Sequence, residues 1–95
     1  MNAGPILYIK RGCPYCREAA AFFSTHGVAI EIRDVSRNRT DLKRLIEVSD
    51  QSNVPTFVLG DFVVPDFSVD ELLDELAERP DVRLRLGLGD NDDEQ

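Results

Sequence analysis

The chain has 95 residues, room for one domain with one modest core. Hydrophobic residues make up 42%, which excludes wholesale disorder, and a formal charge of −7 opposes a nucleic-acid or anionic membrane surface. No apolar run approaches a bilayer span, and no basic N-terminal region leads into a long apolar stretch, so the sequence reads as a cytoplasmic protein acting as a monomer.

In chain order, "PILYI" (5–9) is short and apolar, as a buried strand is. A helix is predicted from Pro14 to His26. Pro14 suits a first helical position, Cys16, Ala19, Ala20 and Phe23 fall on one stripe, and Gly27 supplies the stop. "VAIEIRDV" (28–35) alternates as a second strand, which makes a right-handed βαβ unit. A second helix is expected over 40–48, with Leu42, Leu45 and Ile46 inward. "TFVLGDFVV" (56–64) reads as a hairpin turning at Gly60-Asp61. Ser68 and Glu71 form a capping box for a last helix, with Phe67 and Leu72 as its hydrophobic staple. Leu72, Leu73, Leu76 and Ala77 would face inward, and Pro80 would end that helix. The order β-α-β-α-β-β-α over residues 1–80 implies an α/β fold, a four-stranded mixed sheet flanked by three helices. Residues 81–95 read as a C-terminal extension. Within it "VRLRLGLG" (82–89) alternates like a strand but is taken as frayed rather than as an added edge strand, and "DNDDEQ" is solvated acid.

Chemistry concentrates in "KRGCPYCRE" (10–18), which holds the only two cysteines of the chain. Cys13 falls at the N-cap between strand and helix, where unpaired N–H groups and the positive end of the dipole meet its sulfur. The Cys16 amide can donate to that sulfur, and Lys10 and Arg11 add positive charge, so the position favours a thiolate. A stabilised thiolate gains little as an attacker but more as a leaving group from a mixed disulfide. Cys16, one turn deeper, should be shielded. Proline between them stiffens the turn, and Tyr15 offers a flat apolar edge to a bound peptide or thiol. A zinc site would need four ligands, and beyond the two cysteines the chain offers only His26, at the far end of the same helix, so no metal site is expected. His26 itself reads as a helix C-terminal residue rather than a general base. Before the third strand, Asn53-Val54-Pro55 can turn the chain and expose the Val54 N–H and C=O to an extended partner. An ordinary strand-initiating proline would look the same.

Taken together, "KRGCPYC", the "NVP" before a strand and the element order resemble the glutaredoxin family over residues 5–79. The resemblance implies a thioredoxin-like fold and thiol–disulfide exchange, with Cys13 as nucleophile, Cys16 as resolving thiol and Pro55 as a cis-proline. It also implies that Lys10 contacts a glutathione carboxylate and that Tyr15 and Val54 line the glutathione groove, Val54 through its backbone. Ser68 and Val69, opening the last helix, can present N–H groups to a carboxylate. Glutathione is the implied co-substrate, disulfide-containing proteins are the implied partners, and no tightly bound cofactor is expected. One stretch departs from the pattern. "VVPDFSVDE" puts Pro65 and Asp66 where glutathione-using members carry two glycines, and Asp66 and Asp70 add negative charge that opposes a carboxylate. Two alternatives therefore stay open: a redoxin reduced by thioredoxin reductase without glutathione, and a two-chain module holding a [2Fe–2S] cluster through Cys13 and two glutathiones. Proline after the first cysteine disfavours the latter.

Overall fold

The computed structural model describes residues 4–88. In chain order the elements are β1 (Ile6–Ile9), α1 (Pro14–Thr25), β2 (Glu31–Asp34), α2 (Arg39–Ser49), β3 (Thr56–Leu59), β4 (Phe62–Val64), α3 (Val69–Ala77) and α4 (Pro80–Leu86). The sheet runs β2-β1-β3-β4. β1 pairs parallel with β2, while β3 is antiparallel to both β1 and β4. This is the expected mixed α/β sheet, with four helices in place of the expected three.

Strand pleating sends alternate side chains into two cores. Leu7, Phe57 and Leu59 join Ala19 and Phe23 of α1, Leu72 and Leu76 of α3, and Val82 and Leu86 of α4. The Phe23 and Phe57 rings stack there with centroids 5.1 Å apart. On the other face Tyr8, Val35 and Leu45 are buried, with Leu42, Val48 and Val58 packed against them, so α2 is the helix that covers that side among the described residues. Both strand and helix arms of the site therefore rest on a shared interior.

Local signals explain most of the boundaries. Gly27, at φ 69°, closes α1: its N–H donates to the Ser24 carbonyl and the Val28 N–H to the Phe23 carbonyl, a Schellman arrangement. Val28 is spent on that turn, which is why β2 starts at Glu31 rather than at 28. Gly60, at φ 60°, turns the β3–β4 hairpin with two loop residues between Leu59 and Phe62, glycine first as in a type II′ turn. The Ser68/Glu71 capping box forms as read, and Asn38 caps α2 through the Asp41 N–H at 3.0 Å.

Three expectations need correction. Residues 82–88 are neither frayed nor extended: α4 starts with Pro80 at its first position, and Val82 and Leu86 are buried in the main core. Four-residue spacing puts those two on one side, while Leu84, 61% exposed, points away. Gly87, at φ 80°, ends the helix, with the Leu88 N–H on the Arg83 carbonyl. Proline at the start and glycine past the end outweighed the strand-like alternation. Arg79, in the α3–α4 turn, lies 5.6 Å over the Phe62 ring and pairs with Asp81 at 3.1 Å, which seats the new helix against the hairpin. Leu73 and Ala77 of α3, and Ile46 of α2, are exposed rather than inward. Each follows a buried leucine by one residue, a rotation of about 100° that carries it off the sheet-facing side. The acidic run at 90–95 lies outside the described residues.

Candidate active site

The site is built where β1 hands over to α1. Gly12, at φ 75°, lets the chain turn after Arg11, and Cys13 follows in extended geometry (φ −95°, ψ 109°) as the N-cap. Its Sγ accepts the Cys16 N–H at 3.1 Å, in the role a serine or aspartate oxygen plays at other helix starts. The Cys13 carbonyl accepts the Arg17 N–H at 3.2 Å, the first turn of α1. Cys13 is half-buried and Cys16 is 2% exposed; both are free thiols. Burial pushes the Cys16 thiol up to about 12, and its hydrogen bond to Cys13 acts in the same direction, while a backbone hydrogen bond from Lys10 opposes both. The pair is thus asymmetric. One sulfur faces solvent among donors, and the other holds its proton beneath it.

Two hollows flank the pair. One, ≈ 250 Å³, is lined by Lys10, Arg11, Gly12, Cys13, Cys16, Arg17 and Asp34 among others. Asp34 is held below the usual carboxylate range by its hydrogen bonds to the Ser36 hydroxyl and backbone. The other hollow, ≈ 280 Å³, is lined by Tyr15, Pro55, Asp66, Phe67, Ser68 and Glu71. Tyr15 is 58% exposed and borders it from the α1 side. Three basic side chains and Asp34 thus line one hollow, while the charged side chains of the other, Asp66 and Glu71, are both acidic.

The sequence-predicted residues divide accordingly. Lys10 comes together with Cys13 and Cys16; Tyr15, Pro55 and Ser68 come together across the second hollow. The Val54–Pro55 peptide is cis. Val54 sends its side chain toward the α2-side core, and among the described residues its backbone N–H and C=O have no hydrogen-bond partner. Val69, the first residue of α3, lines neither hollow, so its side chain is not part of the groove wall.

Two residues, and the backbone conformation of a third, escaped the sequence reading. Thr56 is fully buried, and its hydroxyl donates to the Asn53 carbonyl at 2.8 Å while accepting from Gln51 Nε2 at 3.2 Å and the Asp66 N–H at 3.4 Å. Gln51 in turn accepts the Asn53 N–H at 2.7 Å. Together they fix the Val54–Pro55 loop against the turn before α3. The third is Asp66. It adopts φ 51°, the left-handed conformation that proline in its place could not take, and its carboxylate reaches Asn53 Nδ2 at 3.5 Å. Aspartate is one of the few side chains that visits this region. The polar run "DQSN" before the proline, and the Pro-Asp dipeptide after β4, were the available signals.

Three comparisons bear on this arrangement. The glutaredoxin family model matches residues 6–64. No curated protein sequence matches significantly. Among solved structures, the glutaredoxin from Archaeoglobus fulgidus superposes with a TM-score of 0.68 at 22% identity, over 78% of this chain and 86% of its own. The thioredoxin-like protein BC3987 gives 0.68 at 28% identity, over 75% and 97%. The glutathione complex of buckwheat glutaredoxin gives 0.66 at 15% identity, over 87% and 76%. The family match runs from β1 through β4 and so spans the cysteine pair, the cis-proline loop and the whole sheet. On that match the chain belongs to the glutaredoxin family, thiol oxidoreductases of the thioredoxin fold.

Proposed function

We propose that this glutaredoxin is a dithiol oxidoreductase that reduces protein disulfides and glutathione mixed disulfides. The observation that carries the reading is the Cys13 sulfur at the mouth of α1, accepting the Cys16 N–H at 3.1 Å directly over a buried, protonated Cys16. In the first step the Cys13 thiolate attacks one sulfur of a substrate disulfide. That S–S bond breaks, a Cys13–substrate S–S bond forms, and the departing sulfur leaves as a thiolate that takes a proton from solvent. In the second step Cys16 gives up its proton and attacks Cys13 Sγ. The substrate's second thiol is released, and a Cys13–Cys16 disulfide remains. Two electrons have passed to the substrate.

Tyr15 and the unpaired Val54 backbone serve as the walls that hold the incoming sulfur in line, the backbone by strand-like pairing with an extended partner. Lys10 places positive charge on the other flank. Glutathione is the donor we assign to the return step. The buckwheat glutaredoxin to which this chain is similar binds it, and the cytoplasm, where thiols are kept reduced, is the setting in which the couple would cycle. Thioredoxin reductase is the competing donor. A paired assay tests the reading: turnover of one mixed disulfide is followed with glutathione and its reductase, or with thioredoxin reductase. Glutathione should support turnover, and Cys13→Ser should abolish it with either donor. Undiminished turnover by Cys13→Ser would sink the mechanism, and turnover with thioredoxin reductase alone would reassign the donor.

A further inference from the structure

The end of the groove nearest α3 is where a small thiol compound would seat a carboxylate, since a helix N-terminus offers N–H donors and a positive partial charge. In this chain a carboxylate of its own already stands at that terminus. Glu71 Oε1 accepts the Ser68 N–H at 2.8 Å, and Ser68 Oγ accepts the Glu71 N–H at 3.3 Å. Asp66 stands at the same end, its carboxylate accepting, among the described residues, only the Asn53 Nδ2–H at 3.5 Å. The hollow beside Tyr15 adjoins a second one of ≈ 290 Å³, which shares Asp66, Phe67 and Glu71 and runs on to Asp74 and Glu75. Among the described residues, none of these four acids is salt-bridged to a cation. A ligand lying in this groove therefore meets negative charge without a salt-bridge partner on the Tyr15 side of the cysteine pair.

We infer that Glu71 and Asp66 are specificity-determining residues: they turn the groove against substrates that bring a carboxylate to α3 and toward disulfides carried on basic peptide segments. The inference rests on the oxidoreductase reading and narrows its substrate class. An extended peptide can pair with the free Val54 N–H and C=O while its lysines or arginines run along α3. A glutathione mixed disulfide can still react, but a carboxylate it brings to the helix terminus meets Glu71 and Asp66 there.

The test compares kcat/KM for three mixed-disulfide peptides identical except for lysine, alanine or glutamate flanking the cysteine, and for the glutathione mixed disulfide. Wild type is measured beside Asp66→Asn, Glu71→Gln and the double variant. Glutamine retains an oxygen to accept the Ser68 N–H, and asparagine tolerates the left-handed backbone, so these variants keep the local fold. Glu47→Gln, on α2, is the remote charge control. Wild type should prefer the lysine peptide over the glutamate peptide by about tenfold at low salt, from like and unlike charges at exposed sites. The double variant should shrink that ratio to about twofold and raise kcat/KM for the glutathione mixed disulfide by about fivefold. About 0.5 M salt should compress the wild-type ratio likewise. Equal rates for the two charged peptides, a ratio unchanged in the double variant, or an equal effect from Glu47→Gln would overturn the inference. Binding of the same peptides with serine for cysteine, followed by NMR shifts, reads the groove without the chemistry. If the alanine peptide is not turned over but the binding order holds, the specificity stands and the oxidoreductase reading falls.

Discussion

Cys16 gives a pH dependence that can be worked from its position. It is buried beneath Cys13, and desolvation raises its thiol from the ordinary 9.0 to about 12. Between those values the unfolded chain has released the proton and the native chain has kept it. The native state then binds more protons, so raising pH favours unfolding. The stabilisation is complete below about pH 9 and is lost as pH climbs toward 12, with a slope reaching about 1.4 kcal/mol per pH unit. Tyr8, also buried and also raised by desolvation, acts in the same direction. Comparison of wild type with Cys16→Ala cancels it. Urea unfolding under reducing conditions, followed by circular dichroism from pH 8 to 11, should show wild type losing about 2–3 kcal/mol relative to the variant over that span. At pH 8 a thiol pushed up to about 12 also means a roughly thousandfold smaller thiolate fraction for Cys16 than for an ordinary thiol. Iodoacetamide should therefore add one group to the native protein and two to the unfolded chain, as read by intact mass. Parallel stability curves for the two proteins, or native Cys16 alkylated as fast as in urea, would refute the reasoning.

Ser68→Ala removes the oxygen that accepts the Glu71 N–H and should cost about 1 kcal/mol in urea unfolding; a neutral result would mean that the capping box is not formed in solution. Thr56→Val keeps the shape but deletes a hydroxyl with three partners, so a loss of about 2 kcal/mol is expected, with faster amide exchange at Asp66. Unchanged exchange there would dissociate Thr56 from the turn before α3. Leu86→Ala should destabilise by about 2–5 kcal/mol, because α4 contributes to the main core; a loss under 0.5 kcal/mol would return residues 82–88 to the status of a loose extension.

Much of this was legible because the signals were local. The N-cap position of Cys13 follows from glycine before it and proline after it, and the capping box of α3 is written in Ser68 and Glu71. The parallel β1–β2 pair followed from the βαβ unit and the β3–β4 pair from the tight hairpin, while the β1–β3 pairing that joins them was not read. What stayed hidden depended on three-dimensional packing. The alternation of residues 82–88 looked like a strand because a short helix with two buried residues carries almost no periodicity. Leu73 and Ile46 looked internal because an apolar residue next to a core leucine cannot be assigned a face without knowing how wide the covered face is. Thr56 looked like an ordinary strand residue, and its partners come from residues 51, 53 and 66, which only the fold assembles. The departure at Pro65-Asp66 was visible as chemistry, but not its solution. Asp66 itself supplies the left-handed turn, and Glu71 takes the Ser68 N–H behind it.

Capture of the first covalent intermediate tests the role of Cys13 most directly. Cys16→Ser is incubated with a peptide mixed disulfide, quenched in acid and weighed intact, and the adduct is mapped by digestion. Attack by Cys13 and resolution by Cys16 predict a stable one-to-one peptide adduct on Cys13 in the variant. Wild type should pass through it to an unmodified chain lighter by two hydrogens. An adduct-free Cys16→Ser, or an adduct that forms equally well in Cys13→Ser, would contradict it.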